Sequence, residues 1–135
     1  MTSAVYPAGK RGLMTKSIDL VNDSITAVLI KDTYTYSNTH TSYTTDLAPH
    51  LVTGATVVLS SKAVMNNSGK ATFDAADPTF TAVTSGFNVI GVAIYHTTSG
   101  TPIAWLDSGV GLPVTSSAAD ITVNFSNGTD RIFSL

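Results

Sequence analysis

Apolar and polar residues alternate along most of this chain in short runs that recur at near-regular intervals. Ser24–Tyr36 (SITAVLIKDTYTY) is rich in β-branched and aromatic residues and reads as a long strand. Gly54–Met65 (GATVVLSSKAVM) reads as another and runs into the turn cluster Asn66–Asn67–Ser68–Gly69. Lys70–Val83 splits around Asp74–Pro78, and its second half alternates Phe80 and Ala82 with Thr79 and Thr81. Phe87–His96 (FNVIGVAIYH) is almost wholly apolar, which predicts a central strand covered on both faces. Pro102–Ser108, Ile121–Phe125 and the closing Arg131–Leu135 continue the series, and Met14–Leu20 fits a half-buried strand near its start. Ser126–Asn127–Gly128 carries the Asn-Gly signal of a hairpin between the last two strands.

Three stretches break the pattern. Residues 1–11 (MTSAVYPAGKR) contain Pro7 and Gly9 without a clear period and read as an arm, mobile or docked on a neighbour. Ser37–His50 gathers Ser, Thr and Asn, while Tyr43, Leu47 and Leu51 recur at helical spacing. A short helical turn ending before Pro49 is expected there, because the residue before a proline resists the α conformation. Gly109–Ala119 reads as a loop containing Pro113.

The result is about eight strands at the roughly 8–12-residue spacing of a sandwich or barrel. No long helical segments alternate with them, so a parallel α/β sheet is not expected. The predicted architecture is all-β: an antiparallel β-sandwich, jelly-roll-like, over residues 12–135, behind an extended N-terminal arm at 1–11. A chain of 135 residues supports one such core and not two comfortable ones.

Composition reinforces the pattern. All nine acidic side chains are Asp, and the chain contains neither Glu nor Gln. Glu and Gln favour helices, Asp favours caps and turns, and the abundant Thr and Val suit a pleated strand. Charged residues make up 12% of the chain, about half the usual share, against 43% hydrophobic residues. A surface whose polarity comes from Ser, Thr and Asn sheds its water cheaply against a partner. A net charge of −2, with basic residues scattered singly except at Lys10–Arg11, lacks the basic footprint of nucleic-acid binding. There is no cysteine for a disulfide framework or thiolate metal site, and no apolar run near the length that spans a bilayer. No apolar run follows Lys10–Arg11 as it would in a signal peptide, so synthesis in the cytoplasm is the expectation.

The residues announce no catalytic set. His40, His50 and His96 lie on distant segments without metal-ligand spacing, and each reads better as a polar loop or strand-end residue. Gly109-Val110-Gly111 lacks the further glycine and the strand–helix context of a phosphate loop. Asp74 and Asp77 flank a turn and could hold Ca²⁺, but turn chemistry, Asp capping backbone N–H groups, is the stronger reading. Asp120 and Asp130, at strand edges, are read the same way. No cofactor, no metal and no enzymatic activity are expected. Trp105 reads as a core residue among apolar neighbours, although an indole can also anchor an interface or stack on a sugar. Tyr34, Tyr36 and Tyr43, interleaved with Thr and Ser, are interface candidates because Tyr tolerates half-exposure. Tyr6, Lys10 and Arg11 of the arm join Trp105 and these tyrosines as candidate contact residues.

The second half of the chain carries a resemblance. FDAADPTFTAV, then the apolar strand VIGVAIYH, then PIAWLDSGVGLPVTSSAADITVNFSNGTDRIFSL resemble, in order, a group of small virion structural proteins of tailed bacteriophages. VLIKDTYTYS and the Leu47–Leu51 region fit more loosely, and residues 1–11 are not covered. The resemblance implies a virion component, foremost a capsid decoration (cement) protein that binds the major capsid protein and sits on the capsid surface. Self-association, commonly as a symmetric homotrimer, would accompany it. The alternative is a neck, tail or fibre module, receptor- or glycan-binding; neither reading involves nucleic acid or a membrane.

Overall fold

The computed structural model describes residues 3–107, 111–128 and 131–135. The ends of two sequence expectations, Ser108 of the Pro102–Ser108 strand and the Gly109–Val110 start of the following loop, lie outside the described residues, as does Asp130. In chain order the elements are β1 (Ser3–Val5), α1 (Pro7–Met14), β2 (Ile25–Lys31), β3 (Leu51–Val58), β4 (Ala63–Asn67) and β5 (Lys70–Asp74). There follow β6 (Thr79–Phe80), β7 (Asn88–His96), β8 (Pro102–Leu106), β9 (Val114–Thr115), β10 (Ile121–Thr122) and β11 (Phe133–Ser134). A π-helical turn at Tyr43–Leu47 and a 3₁₀ turn at Ala48–His50 precede β3.

The main sheet has the order β1-β8-β7-β2-β3, with β9 also on β7, and every pairing in it is antiparallel. Its centre is the long pair of β2 and β7, from Ile25 opposite His96 to Lys31 opposite Val89. These two strands are almost continuously apolar because both faces of the sheet are covered. The period-2 geometry of a strand sends Ile25, Ala27 and Leu29 to one face and Val28 and Ile30 to the other.

On the first face, these side chains and Val92, Ile94, Ala104 and Leu106 pack against Phe73, Phe80, Phe125, Ile132 and Phe133. The latter are carried by two small antiparallel sheets, β11-β5-β4 and β10-β6, and the chain around them. Phe73 and Phe133 are cross-strand partners with ring centroids 5.5 Å apart. Each fully buried Phe, Leu or Ile contributes about 1.5–3 kcal/mol through removal from water. On the opposite face, Val28, Ile30, Ala93, Tyr95 and Trp105 are covered by Tyr6, Tyr34 and Leu47. The fold is thus all-β, antiparallel and sandwich-like, and the described strands are more numerous and shorter than the sequence pattern predicts.

Four expectations are corrected. Met14–Leu20 is not a strand: α1 ends at Met14, and the Asp19 carboxylate accepts N–H bonds from Val21 and Asn22 to make a turn. The strand expected over Ser24–Tyr36 ends at Lys31, where the chain leaves the sheet to cover its face. The Gly54–Met65 run is two strands, β3 and β4, in different sheets. Asn127–Gly128 does not close a hairpin, since β10 pairs with β6 and β11 with β5. Local turn chemistry there yields to the burial of Phe80, Phe73 and Phe133.

Where the pattern suggests an arm, β1 pairs along β8 from Ser3 opposite Leu106 to Val5 opposite Ala104, and Pro7 opens α1. Proline suits the first helical position, having no N–H to leave unsatisfied. The helix is hard to read because Gly9 and Gly12 disfavour helix by about 1 kcal/mol each. Packing explains them: a Cβ on Gly9 would lie 2.7 Å from Ile103 Cα, and one on Gly12 2.4 Å from Ile18 Cδ1. Gly9 lets α1 sit directly on β8, and Gly12 lets the chain turn back over the helix at Ile18.

Candidate functional site

The segment between β2 and β3 has too few apolar residues to make a strand, so its tyrosines do the covering. Tyr34 lies over Trp105 of β8 with ring centroids 4.7 Å apart, and Tyr43 stacks on Tyr95 of β7 at 4.1 Å and 12°. Tyr6, at the β1–α1 junction, meets Tyr36 at 5.0 Å. Five of the seven candidate contact residues, Tyr6, Tyr34, Tyr36, Tyr43 and Trp105, therefore belong to one aromatic cluster. Tyr6 and Tyr34 are buried, Trp105 is 6% exposed, and Tyr36 and Tyr43 are half-buried. Lys10 and Arg11 stand exposed on α1.

A hydrogen-bonded row runs through the cluster. The Tyr6 and Tyr34 hydroxyls are 2.5 Å apart, and the Tyr34 hydroxyl is 2.8 Å from His40 Nδ1. Burial, reinforced by the bond to Tyr34, pushes the Tyr6 hydroxyl far above the ordinary tyrosine range. Burial also raises Tyr34, against the opposing effect of the bond from Tyr6. Tyr43 is raised by burial and by its neighbour Tyr95. Asp46 closes the same segment: burial pulls its carboxyl upward, but N–H bonds from Ser42 and Thr41 and the nearby His40 leave it lowered overall.

Between this cluster and solvent lies a shallow groove of about 430 Å³ lined by Tyr34, Thr35, Tyr36, Ile90, Trp105, Asp107 and Pro113. Aromatic faces next to a carboxylate offer an apolar platform with a hydrogen-bond acceptor at its rim. A separate, mostly apolar groove of about 400 Å³ runs along Leu13, Ile18, Leu20, Val21, Val64 and Leu135, with Lys16 and Asp19 also in its lining. Val64 and Leu135 are 50% and 55% exposed, and Met14, next in sequence to Leu13, is 87% exposed.

The histidines have separate partners. His50 Nδ1 is 2.8 Å from Thr33 Oγ1. His96 Nδ1 is 2.6 Å from Ser99 Oγ, and its Nε2 is 3.0 Å from Asp23 Oδ2. The sequence gives no hint of this Asp23–His96–Ser99 row, because 73 residues separate Asp23 from His96. A carboxylate can only accept, so Nε2 carries the proton. Ser99 Oγ also bonds Thr101 and lies within the β7–β8 turn, so the row clasps that turn to the start of β2. Asp74 accepts from Ala75 N–H and pairs with Arg131, and Asp77 accepts from Phe125 N–H. Asp120 likewise accepts from Ala82 N–H. These are turn and tether contacts. Among the described residues no three His, Cys, Asp or Glu side chains gather as a metal site would require. Among the described residues no helix is long and apolar enough to cross a membrane.

No protein-family model matches the chain, and neither a curated protein nor a solved structure matches it.

Proposed function

We propose that this chain is a bacteriophage capsid decoration (cement) protein: a non-enzymatic virion component that binds the major capsid protein shell and stabilises the head. The observation that carries this reading is the mostly apolar groove at which Val21, Val64 and Leu135 stand exposed. On a protein with so few charges, exposed apolar side chains gathered at one groove suit a permanent contact, with a second copy or with the shell. The sequence resemblance to small phage virion proteins supports the same class. A homotrimer would bury the groove around a symmetry axis, leaving other faces for the shell. A jelly-roll-like topology and an N-terminal arm that exchanges β1 onto the β8 edge of a neighbour belong to this proposal. Copy number in purified virions tests it: parity with the shell protein supports decoration, and the few copies of a neck or tail ring would sink it.

A second reading, a neck, tail or fibre module that binds a receptor or glycan, is favoured by the aromatic groove at Tyr34, Tyr36 and Trp105 with Asp107 beside it. Loss of host adsorption on replacing Tyr36, with head stability unchanged, would support this reading over the first.

A further inference from the structure

A further groove lies on the other side of the covering segment. It measures about 720 Å³ and is lined by Pro7, Ala8, Arg11, Gly12, Thr15, Ser17, Asn38, Thr39, Thr41 and Thr101. One wall is α1 and the turn after it; the other is the strap at 38–41 with Thr101, the residue just before β8. From this geometry we infer that the groove binds an acidic saccharide, holding a sugar carboxylate on Arg11 and sugar hydroxyls on Asn38 and Thr41.

Three independent features converge on that class. The first is charge. Lys10, Arg11 and Lys16 are three of the seven basic residues in the chain, and no acidic residue precedes Asp19. Of these three, Arg11 lines the groove and gives its wall a positive charge on a protein whose net charge is −2, while Lys16 lines the separate groove beside Asp19. No carboxylate lines the groove, and the nearby Asp46 is occupied by the N–H groups of Thr41 and Ser42. The second is unspent hydrogen-bonding capacity. Among the described residues the exposed Arg11 guanidinium, Asn38 amide and Thr41 hydroxyl have no protein partner at the groove, whereas the Thr15, Ser17, Thr39 and Thr101 hydroxyls bond within the chain. A guanidinium presents a planar fork that matches a carboxylate. Hydroxyl and amide side chains both donate and accept, as sugar hydroxyls do.

The third feature is rigidity. Gly9 seats α1, the helix that carries Arg11, directly on the Pro102–Ile103 backbone. A site held in place before binding loses less entropy when the ligand arrives. The volume falls within the range of about 300–1,000 Å³ usual for small-ligand sites. This inference depends on neither reading of the protein's station on a virion.

Titration calorimetry of the full chain with trigalacturonate, neutral galactotriose and tri-aspartate tests it, together with amide chemical-shift mapping. Trigalacturonate is expected to bind, more weakly as salt is raised, with shifts at Thr39, Thr41 and Thr101. Galactotriose is expected to bind at least tenfold more weakly, and Arg11→Gln to weaken trigalacturonate by about tenfold or more. Equal affinity for the neutral sugar, or no binding of trigalacturonate, would overturn the inference. Tri-aspartate binding as tightly as trigalacturonate would replace the saccharide with a general anion or acidic peptide. Shifts confined to Tyr34, Tyr36 and Trp105 would move the site to the aromatic groove and overturn this one. Should Arg11→Gln lower the melting temperature, the comparison of the three ligands on the unaltered protein decides.

Discussion

His96 Nε2 lies 3.0 Å from Asp23 Oδ2, joining the last residue of β7 to the turn just before β2. Because Ile25 and His96 face each other at the end of the central strand pair, this contact ties down that end of the sheet. The Asp23 carboxyl is held below its ordinary range by the N–H bond from Asp19 and then by His96. A carboxyl lowered in the folded state adds stability above its unfolded pKa of about 4, and that stability is lost as pH falls through the folded value. Asp23→Asn is therefore expected to lower the urea midpoint at pH 7, with the gap from the unaltered protein narrowing below about pH 4. Urea titrations at pH 7 and in acid measure this; a constant gap would mean that the charge does not matter.

The Tyr6–Tyr34 bond makes an asymmetric prediction. Tyr6→Phe removes one hydroxyl while Tyr34 keeps His40 as a partner, so a loss of about 1 kcal/mol is expected. Tyr34→Phe strands the buried Tyr6 hydroxyl and should cost more, roughly 1–3 kcal/mol. Tyr6 also predicts alkaline behaviour. Its pKa is raised on folding, so its contribution is complete below about pH 10 and disappears as pH climbs further. Tyr6→Phe should flatten the decline of stability with alkaline pH, followed by denaturant unfolding between about pH 9 and 11.

Gly9 tests how α1 is seated. An alanine there would place its methyl 2.7 Å from Ile103 Cα and 2.9 Å from the Pro102 carbonyl oxygen, both backbone atoms that cannot swing aside. Gly9→Ala raises helix propensity yet should destabilise by roughly 1–3 kcal/mol through overpacking. Thermal unfolding would decide: a stabilised variant would mean that the helix is free to shift outward.

The central strand was the most legible element, since an unbroken apolar run such as Phe87–His96 has few homes other than a doubly covered sheet. The helix α1 was hidden because its glycines are chosen by contact with Ile103 and Ile18, partners that local patterning cannot name. The short strands β6, β9, β10 and β11 owe their pairing to distant partners, Phe133 with Phe73 for example, so the Asn-Gly signal near them misled. The tyrosines drew notice through their number and spacing. Their convergence with Tyr6 and Trp105 required knowing that the chain leaves the sheet after Lys31 and folds back across it. The Arg11 groove was half visible, as the Lys10–Arg11 pair, but its opposite wall comes from residues 38–41 and 101.

The exposed apolar groove bears most directly on assembly. Val64 and Leu135 are half exposed, so replacing both with lysine should remove little core packing and leave the melting temperature nearly unchanged. If the groove is a contact between copies, the double variant Val64→Lys/Leu135→Lys should shift the assembled protein to monomer in light scattering. A variant that stays assembled but no longer binds emptied heads would instead assign the groove to the shell. A variant that does both normally would leave the patch without a role in assembly, and the decoration reading would lose the observation that carries it.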